Sequence, residues 1–154
     1  MRRLFATAWT IWLIDFVTKA WALQSLSANP RPVIGTFLQF TLVHNSGAAF
    51  SFATGFTLLF SLLAVAVVAA VIYYASKITS SGWQIALGLL LGGVLGNLTD
   101  RIFRSPGFLS GHVIDWIQLP HWPVFNIADS AICIAATISF ILSMRNVPPI
   151  TRVG

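Results

Sequence analysis

Four long apolar segments constrain this chain more than any other feature of its sequence. Each is close to the roughly 20 residues that a helix needs to cross about 30 Å of hydrocarbon. Because 56% of the 154 residues are hydrophobic and only 8% are charged, one water-soluble core could not bury that apolar surface. We therefore predict an all-α membrane protein, a single domain over residues 1–154, with a four-transmembrane-helix bundle at about residues 4–26, 56–76, 83–103 and 124–144.

The first segment resembles a secretory signal peptide only at its start, where Arg2 and Arg3 precede an apolar run. The run is too long for a signal peptide, it contains Asp15 and Lys19, and no clean small-residue cleavage site ends it. We expect the segment to be retained as a transmembrane helix.

Basic residues at the segment ends predict the orientation of the chain in the membrane. Five lie on one side and two on the other, so the first side is expected to be cytoplasmic, together with both termini. Nucleic-acid binding is not expected, because these residues are scattered and form no stripe. The two groups are Arg2, Arg3, Lys77, Arg145 and Arg152 on the cytoplasmic side, and Arg31 and Arg104 on the outer side.

The two outer loops differ in composition. Residues 33–43, in the first loop, are β-branched and aromatic with partial alternation, which predicts one or two short strands in a small extracytoplasmic β-cradle after the first helix. Residues 104–123 are rich in proline and glycine, so a loop or a short helix is expected between the third and fourth helices.

Acidic residues are rare, and three of the four lie between residues 92 and 130. A carboxylate at the centre of a membrane helix is unfavourable by roughly 2.5 to 3.5 kcal/mol, so this grouping requires an explanation. Asp115 lies in the second outer loop, and Asp129 lies about five residues into the fourth predicted helix, on the same side as Asn126. Both acids can therefore meet at the outer rim of the bilayer.

Two nearby carboxylates are suited to aspartic-type peptide hydrolysis. Close like charges cannot both ionise, so one member can take a proton from water while the other donates a proton. A structural role or a proton relay is an equally reasonable use of carboxylates in a membrane. The residue pattern alone leaves these alternatives open.

Other chemistries have less support in the sequence. It contains no HExxH motif and no His/Cys cluster, so no metal or other cofactor is expected. The dispersed histidines, His44, His112 and His121, are interpreted as interfacial loop residues, and Cys133, as the single cysteine, excludes an internal disulfide. No GxSxG element is present.

Several polar residues could support such a site. Asp15 and Lys19, at i and i+4, are interpreted as a buried pair that neutralises itself, with a direct catalytic role as the alternative. Asn97 and Arg101 share a helix face beyond the small-residue stripe formed by Gly88, Gly92 and Gly96. Two roles are equally favoured for Arg101: an ion pair with an acid, and contact with a substrate. Turn chemistry accounts for Asn45 and Gly47, although small residues there could also admit a substrate backbone, with Asn45 bonding to it.

Five motifs together resemble the ordered motif set of the lipoprotein signal peptidases, also called signal peptidase II. The resemblance extends over nearly the whole chain, with the motifs in the right order and the right helices between them. The motifs are Asp15-Phe-Val-Thr-Lys19, Asn45-Ser-Gly47-Ala-Ala-Phe50-Ser51, Gly93-Val-Leu-Gly96-Asn97-Leu-Thr-Asp100-Arg101, His112-Val-Ile-Asp115 and Phe125-Asn126-Ile-Ala128-Asp129-Ser130.

The resemblance implies an aspartic endopeptidase of the bacterial cytoplasmic membrane, monomeric and without a cofactor. Such enzymes remove signal peptides from prolipoproteins, cutting before a cysteine that carries diacylglycerol, and globomycin-type cyclic peptides inhibit them. By the same resemblance, Asp115 and Asp129 would be the catalytic dyad. The supporting or substrate-binding residues would be Asn45, Gly47, Asn97, Arg101, Asn126, Asp15 and Lys19.

A second hypothesis comes from a different functional class. An intramembrane acid such as Asp15 could couple proton or cation movement in a small four-helix carrier. A non-catalytic assembly factor is a third possibility, in which neither Asp115 nor Asp129 would matter beyond stability.

Overall fold

The chain forms four helices and one small sheet in a computed structural model that describes residues 1–47 and 57–150. The helices predicted from the apolar segments are confirmed, as are the strands predicted within residues 33–43. In chain order the elements are α1 (Arg2–Ser25), β1 (Arg31–Ile34), β2 (Leu38–Asn45), α2 (Thr57–Ala75), α3 (Ser81–Phe103), β3 (Val113–Gln118) and α4 (Ile127–Met144).

The described helices α2, α3 and α4 are long and apolar enough to cross a membrane. Helix α1 is long enough, with 24 residues, but it carries Asp15 and Lys19 near its middle. Both charged side chains are buried in the protein, whereas Trp9 and Val17 on the same helix are largely exposed. The outer face of α1 is therefore apolar and suited to contact with lipid.

The start of α4 differs from the prediction. The helix was expected from about residue 124, but Phe125 exchanges backbone hydrogen bonds with Ile117, at 2.8 and 3.0 Å, and so cannot be helical. Asn126 then caps the helix, which begins at Ile127. Asp129 is consequently the third residue of α4 instead of lying five residues in.

The sheet is antiparallel with the strand order β1-β2-β3. The expectation of a loop or short helix between α3 and α4 is wrong at residues 113–118, which form β3. The residues flanking Asp115 are β-branched or aromatic and fit a pleated, half-buried surface. These residues form a strand because their backbone pairs with β2, a distant contact that local sequence patterns do not reveal.

The start of α1, residues 147–149 and the α2–α3 turn lie at one end of the bundle. The backbone N–H of Ser80 donates to the carbonyl of Pro149 at 3.3 Å, and the Trp83 indole donates to the carbonyl of Val147 at 2.8 Å. Arg3, near the N-terminus, donates to the Ser81 hydroxyl at 2.5 Å. The sheet follows the far end of α1, so it lies at the opposite end of the bundle.

Helix α3 lies between α1 and α4, and glycines allow the close approach. A Cβ added to Gly92 would lie 2.6 Å from the carbonyl oxygen of Ala8, and one added to Gly93 would lie 2.5 Å from that of Ala128. Both distances are shorter than a van der Waals contact, so only glycine fits at these positions. The predicted small-residue stripe is thus a packing surface, as is usual between membrane helices.

We predict that Gly92→Ala destabilises the protein, because the added methyl group meets the α1 backbone instead of a mobile side chain. Overpacking of this kind is unfavourable by about 1–3 kcal/mol. The control is Gly82→Ala in the first turn of α3, whose Cβ would contact only the Leu142 side chain at 3.1 Å. Thermal unfolding in detergent should show a lower Tm for Gly92→Ala, and equal Tm values for the two variants would contradict this packing.

Candidate active site

Strand β3 places the Asp115 carboxylate inside the protein, with its side chain 1% exposed. One oxygen, Oδ2, accepts a hydrogen bond from the Asn45 amide at 2.8 Å, and Oδ1 accepts one from the Asn126 amide at 2.6 Å. Asn45 lies at the end of β2, next to β3 in the sheet. The pairing of these strands therefore brings two of the predicted site residues together.

Asp129 occupies the first turn of α4. Its backbone N–H donates to Asn126 Oδ1 at 2.9 Å, and its own Oδ2 accepts the Asn126 backbone N–H at 3.3 Å, which forms a capping box. The other carboxylate oxygen, Oδ1, accepts from the Asn97 amide of α3 at 2.7 Å. The Asp129 carboxylate therefore lies among the backbone N–H groups at the N-terminus of a helix, with Asn97 as its side-chain donor.

Asn126 connects the two acids. Its side chain is fully buried, and its Nδ2 lies 2.6 Å from Asp115 Oδ1 and 3.1 Å from Asn97 Oδ1, while its Oδ1 accepts from the Asp129 backbone. The structure therefore brings Asp115, Asp129, Asn97 and Asn126 into one hydrogen-bonded group.

The environment of Asp115 changes its acidity. Burial raises its pKa from 3.8 to about 7, and the negative charge of Asp129 contributes in the same direction. The hydrogen bonds from Asn45 and Asn126 act in the opposite sense and are outweighed. Near neutral pH the two acids can therefore hold a single proton between them, as two close carboxylates do.

A buried ion-pair cluster supports the Asn97 side of this group. Lys19 Nζ lies 2.7 Å from Asp15 Oδ2, 2.9 Å from Asp100 Oδ2 and 3.0 Å from Asn97 Oδ1. Asp15 and Lys19 form a buried ion pair, but Lys19 is shared with Asp100 and also reaches the site through Asn97. Asp15 Oδ1 in turn accepts the backbone N–H of Ala128 at 2.9 Å, which holds the first turn of α4 in place.

Asp100 is a site-supporting residue that sequence reasoning missed. Its Oδ2 accepts the backbone N–H of Ile114 at 3.2 Å, which anchors β3 immediately before Asp115. Its Oδ1 pairs with Arg104, four residues later on the same helix, and not with Arg101. The i, i+4 spacing of Asp100 and Arg104 was the sequence signal for this pair.

Arg101 faces a cavity of about 360 Å³ between α2, α3 and α4. Its Nη1 is buried and has no hydrogen-bond partner among residues 1–47 and 57–150. Of the two predicted roles, an ion pair with an acid is therefore not found in the described part of the chain. The cavity is lined by Asn97 and Arg101 and otherwise by the apolar residues Phe60, Leu63, Ala64, Val67, Leu90, Val94, Leu98 and Ile132.

Gly47 lies beside Asn45, whose Oδ1 accepts the Gly47 backbone N–H at 2.9 Å. Gly47 has a φ of 103°, a conformation that favours glycine, so turn chemistry accounts for this pair. The rest of the motif, residues 48–51, lies outside the described residues, as does residue 56, where the second span was predicted to begin.

Comparison with known proteins identifies the family of this chain. A sequence model of the family described as Signal peptidase (SPase) II matches residues 7–145. The chain belongs to the signal peptidase II family.

Relatives at the level of sequence include proteins named lipoprotein signal peptidase. The one from Mycobacterium avium is 43% identical over 94% of this chain and 80% of its own length. Those from Streptomyces coelicolor and Leifsonia xyli are 46% and 47% identical and are covered over 72% and 68% of their lengths. Two solved structures of a bacterial membrane enzyme, 27% and 28% identical to this signal peptidase II chain, superpose with TM-scores of 0.82, and 96% of each is covered.

We predict that Asp129→Asn lowers the pKa of Asp115 in this signal peptidase II chain, because it removes the repelling charge and leaves burial as the main cause. The carboxyl infrared band of ¹³C-aspartate-labelled protein, followed against pH, measures the midpoint. Asp115→Asn serves to identify the band. An unchanged midpoint in Asp129→Asn would show that the two carboxylates do not interact.

The raised pKa also sets the sign of the pH dependence of stability. Between pH 4 and pH 7 the folded state holds the Asp115 proton more firmly than the unfolded chain does, so this group makes the free energy of unfolding fall as the pH rises through that window.

We predict that Lys19→Met strongly destabilises the protein, because Asp15 and Asp100 lose a buried cation. Breaking a buried ion pair by removing one partner is unfavourable by about 3–5 kcal/mol. The matched control is Lys77→Met in the turn after α2, where the side chain is exposed and the ammonium lies 4.8 Å from the centre of the Tyr73 ring. Unfolding temperatures in detergent should separate the two variants, and the prediction is wrong if Lys19→Met is as stable as Lys77→Met.

Proposed function

We propose that the chain is a membrane aspartic endopeptidase that removes the signal peptide from diacylglyceryl-modified prolipoproteins, cutting before the lipid-modified cysteine. One observation supports the assignment of its catalytic residues: the buried Asn126 amide donates to the Asp115 carboxylate and to Asn97 Oδ1, and the Asn97 amide donates to the Asp129 carboxylate. The membership of the family and the apolar helices support the same activity.

The two acids have different surroundings and take different roles in this proposal. Asp115 holds the shared proton because burial raises its pKa, and Asp129, at the start of α4, is the base. Asp129 takes a proton from the attacking water as its oxygen bonds to the scissile carbonyl carbon, and Asp115 donates its proton to the carbonyl oxygen. The product of this step is a neutral tetrahedral diol.

Collapse of the diol restores the starting state. Asp129 gives its proton to the amide nitrogen, the carbon–nitrogen bond breaks, and Asp115 recovers a proton from a diol hydroxyl. Asn97 and Asn126 hold the acids in place throughout, since each donates to a carboxylate oxygen.

Arg101 and the cavity beside it are proposed to contact the substrate. The Arg101 guanidinium has an unbonded buried nitrogen, which can donate to a peptide carbonyl. Apolar residues of α2, α3 and α4 line the rest of the cavity and suit an apolar peptide or acyl chain. Asn45 donates to Asp115, and Gly47 lies next to Asn45, so both are proposed to lie beside the bound substrate. Globomycin-type cyclic peptides are expected to occupy the same site.

The proposed topology has four transmembrane helices in the bacterial cytoplasmic membrane, with both termini cytoplasmic and the dyad near the outer face. The start of α1, residues 147–149 and the α2–α3 turn lie at one end, which supports this topology because Arg2, Arg3 and Lys77 belong to that end. A diacylglyceryl anchor would then hold the scissile bond at the depth of Asp129 and restrict its search to the membrane plane. The enzyme is proposed to act as a monomer.

The carrier hypothesis gains no support from the surroundings of Asp15. Both of its carboxylate oxygens are engaged, one by Lys19 and one by the backbone N–H of Ala128. A coupling carboxylate must exchange its ion during transport, and this one has a fixed cation.

We predict that Asp115→Asn and Asp129→Asn each lower the cleavage rate of a synthetic diacylglyceryl-cysteine peptide by about 100- to 10,000-fold, because each removes one half of the acid–base pair. The matched control is Gln39→Glu on β2, an exchange of the same functional groups outside the site. It should leave the rate nearly unchanged.

Both dyad variants should retain helical circular dichroism and bind the peptide without cutting it. Cleavage at the normal rate by either variant would contradict the proposed function.

A further inference from the structure

The sheet has a second face, opposite to the one that carries Asp115. Neighbouring residues on a strand point to opposite faces, and residues paired across strands share a face. His44 pairs with Ile114, so both lie on the face away from Asn45 and Asp115. This second face borders a separate cavity.

The cavity measures about 520 Å³ and lies where α1 and α3 end. Sequence reasoning treated His44 and His112 as dispersed loop residues, but His44 lies within β2 and the structure brings both to this cavity. The lining residues are Leu23, His44, Phe103, Arg104, Ser105, His112 and Ile114.

The polar groups around the cavity are suited to an anion. A guanidinium, two imidazoles and a hydroxyl can all donate hydrogen bonds, and none of the described residues that line the cavity carries a carboxylate. Arg104 uses Nε for Asp100, and its two terminal nitrogens have no hydrogen-bond partner in the described ranges. Those nitrogens present a fork that matches a phosphate group.

Backbone hydrogen bonds join residues 111–112 of the cavity wall to the end of α3 and to Ser105. The N–H of His112 donates to the carbonyl of Ser105 at 3.0 Å, and the N–H of Gly111 donates to that of Arg101 at 3.0 Å. A Cβ at Gly111 would lie 2.8 Å from the carbonyl oxygen of Arg104, so glycine lets the chain pack against the end of α3. These backbone contacts hold His112 and Arg104 beside the same cavity.

The other side of the cavity is apolar and open. Phe103 lines it with 81% of its surface exposed, and Leu23 lines it from the last turns of α1. A basic cluster next to exposed apolar side chains, at the ends of membrane helices, matches a molecule with an anionic head and hydrocarbon tails.

We propose that this cavity binds the phosphate of an anionic phospholipid, with Arg104, His44 and His112 as donors and with acyl chains along Phe103 and Leu23. The inference goes beyond the proposed function, because the cavity lies on the face of the sheet away from the dyad. The bound lipid would fix the end of α3 and the start of β3, since Asp100 bonds to both Arg104 and the Ile114 backbone.

The test measures lipid binding to the full chain in detergent by native mass spectrometry. Three probes separate the sources of the chemistry: phosphatidylglycerol, diacylglycerol with the same acyl chains and no phosphate, and inorganic phosphate. We expect phosphatidylglycerol to bind and the other two to bind weakly. Arg104→Gln should lower the affinity for phosphatidylglycerol by about tenfold or more, because it removes a charge-assisted hydrogen bond.

Matched variants distinguish lipid binding in this cavity from non-specific attraction to positive surface charge. Arg31→Gln removes an exposed charge on β1, at the same end of the bundle, and His121→Asn removes an exposed imidazole; neither should change the affinity. His44→Gln is a second test variant, because His44 is exposed and its replacement should not disturb folding.

Four outcomes would overturn the proposal. Equal binding of diacylglycerol would show that the phosphate is not recognised. Equal binding of inorganic phosphate would assign the cavity to the free ion and not to lipid. A loss of phosphatidylglycerol affinity in Arg31→Gln as large as that in Arg104→Gln would show that these residues form no specific site. Unchanged affinity in both Arg104→Gln and His44→Gln would show the same.

Discussion

The buried carboxamide of Asn126 is the contact on which the geometry of the site depends. It bonds to Asp115 on the sheet, to Asn97 on α3 and to the first turn of α4, so three separate elements are fixed relative to one another. A carboxamide suits this position because it donates and accepts without carrying a charge. A charged residue here would bias the titration of both neighbouring acids, and an apolar one would leave their oxygens unpaired.

The second requirement is charge balance around that contact. Asp15 and Asp100 share Lys19, and Asp100 also pairs with Arg104, so two carboxylates meet two cations. Buried charges are tolerated when they are paired and hydrogen-bonded. This cluster therefore adds little net charge next to the dyad, and the acidity of Asp115 is set mainly by its own burial and by Asp129.

Local patterns in the sequence were sufficient for the helices, the small-residue stripe and the two acids. They were insufficient where a distant partner decides the structure. Residues 113–118 have a strand-like composition, but the nearby proline and glycine residues favoured a loop in the prediction. Pairing with β2, which lies far away in the sequence, makes these residues a strand. Arg101 and Arg104 are equally plausible partners for Asp100 until the end of α3 is known, and the approach of His44 to His112 depends on the same pairing of β2 with β3.

The three-residue difference at the start of α4 has a functional consequence. Had the helix begun at residue 124, Asn126 would have been helical and its side chain could not have capped the helix. Asp129 would also have lain deeper, beyond the first turn, where the stabilising effect of the helix N-terminus on a carboxylate falls away. The bridge between Phe125 and Ile117 prevents this, because it keeps the chain extended up to the cap. The strand that carries one acid therefore determines where the helix that carries the other begins.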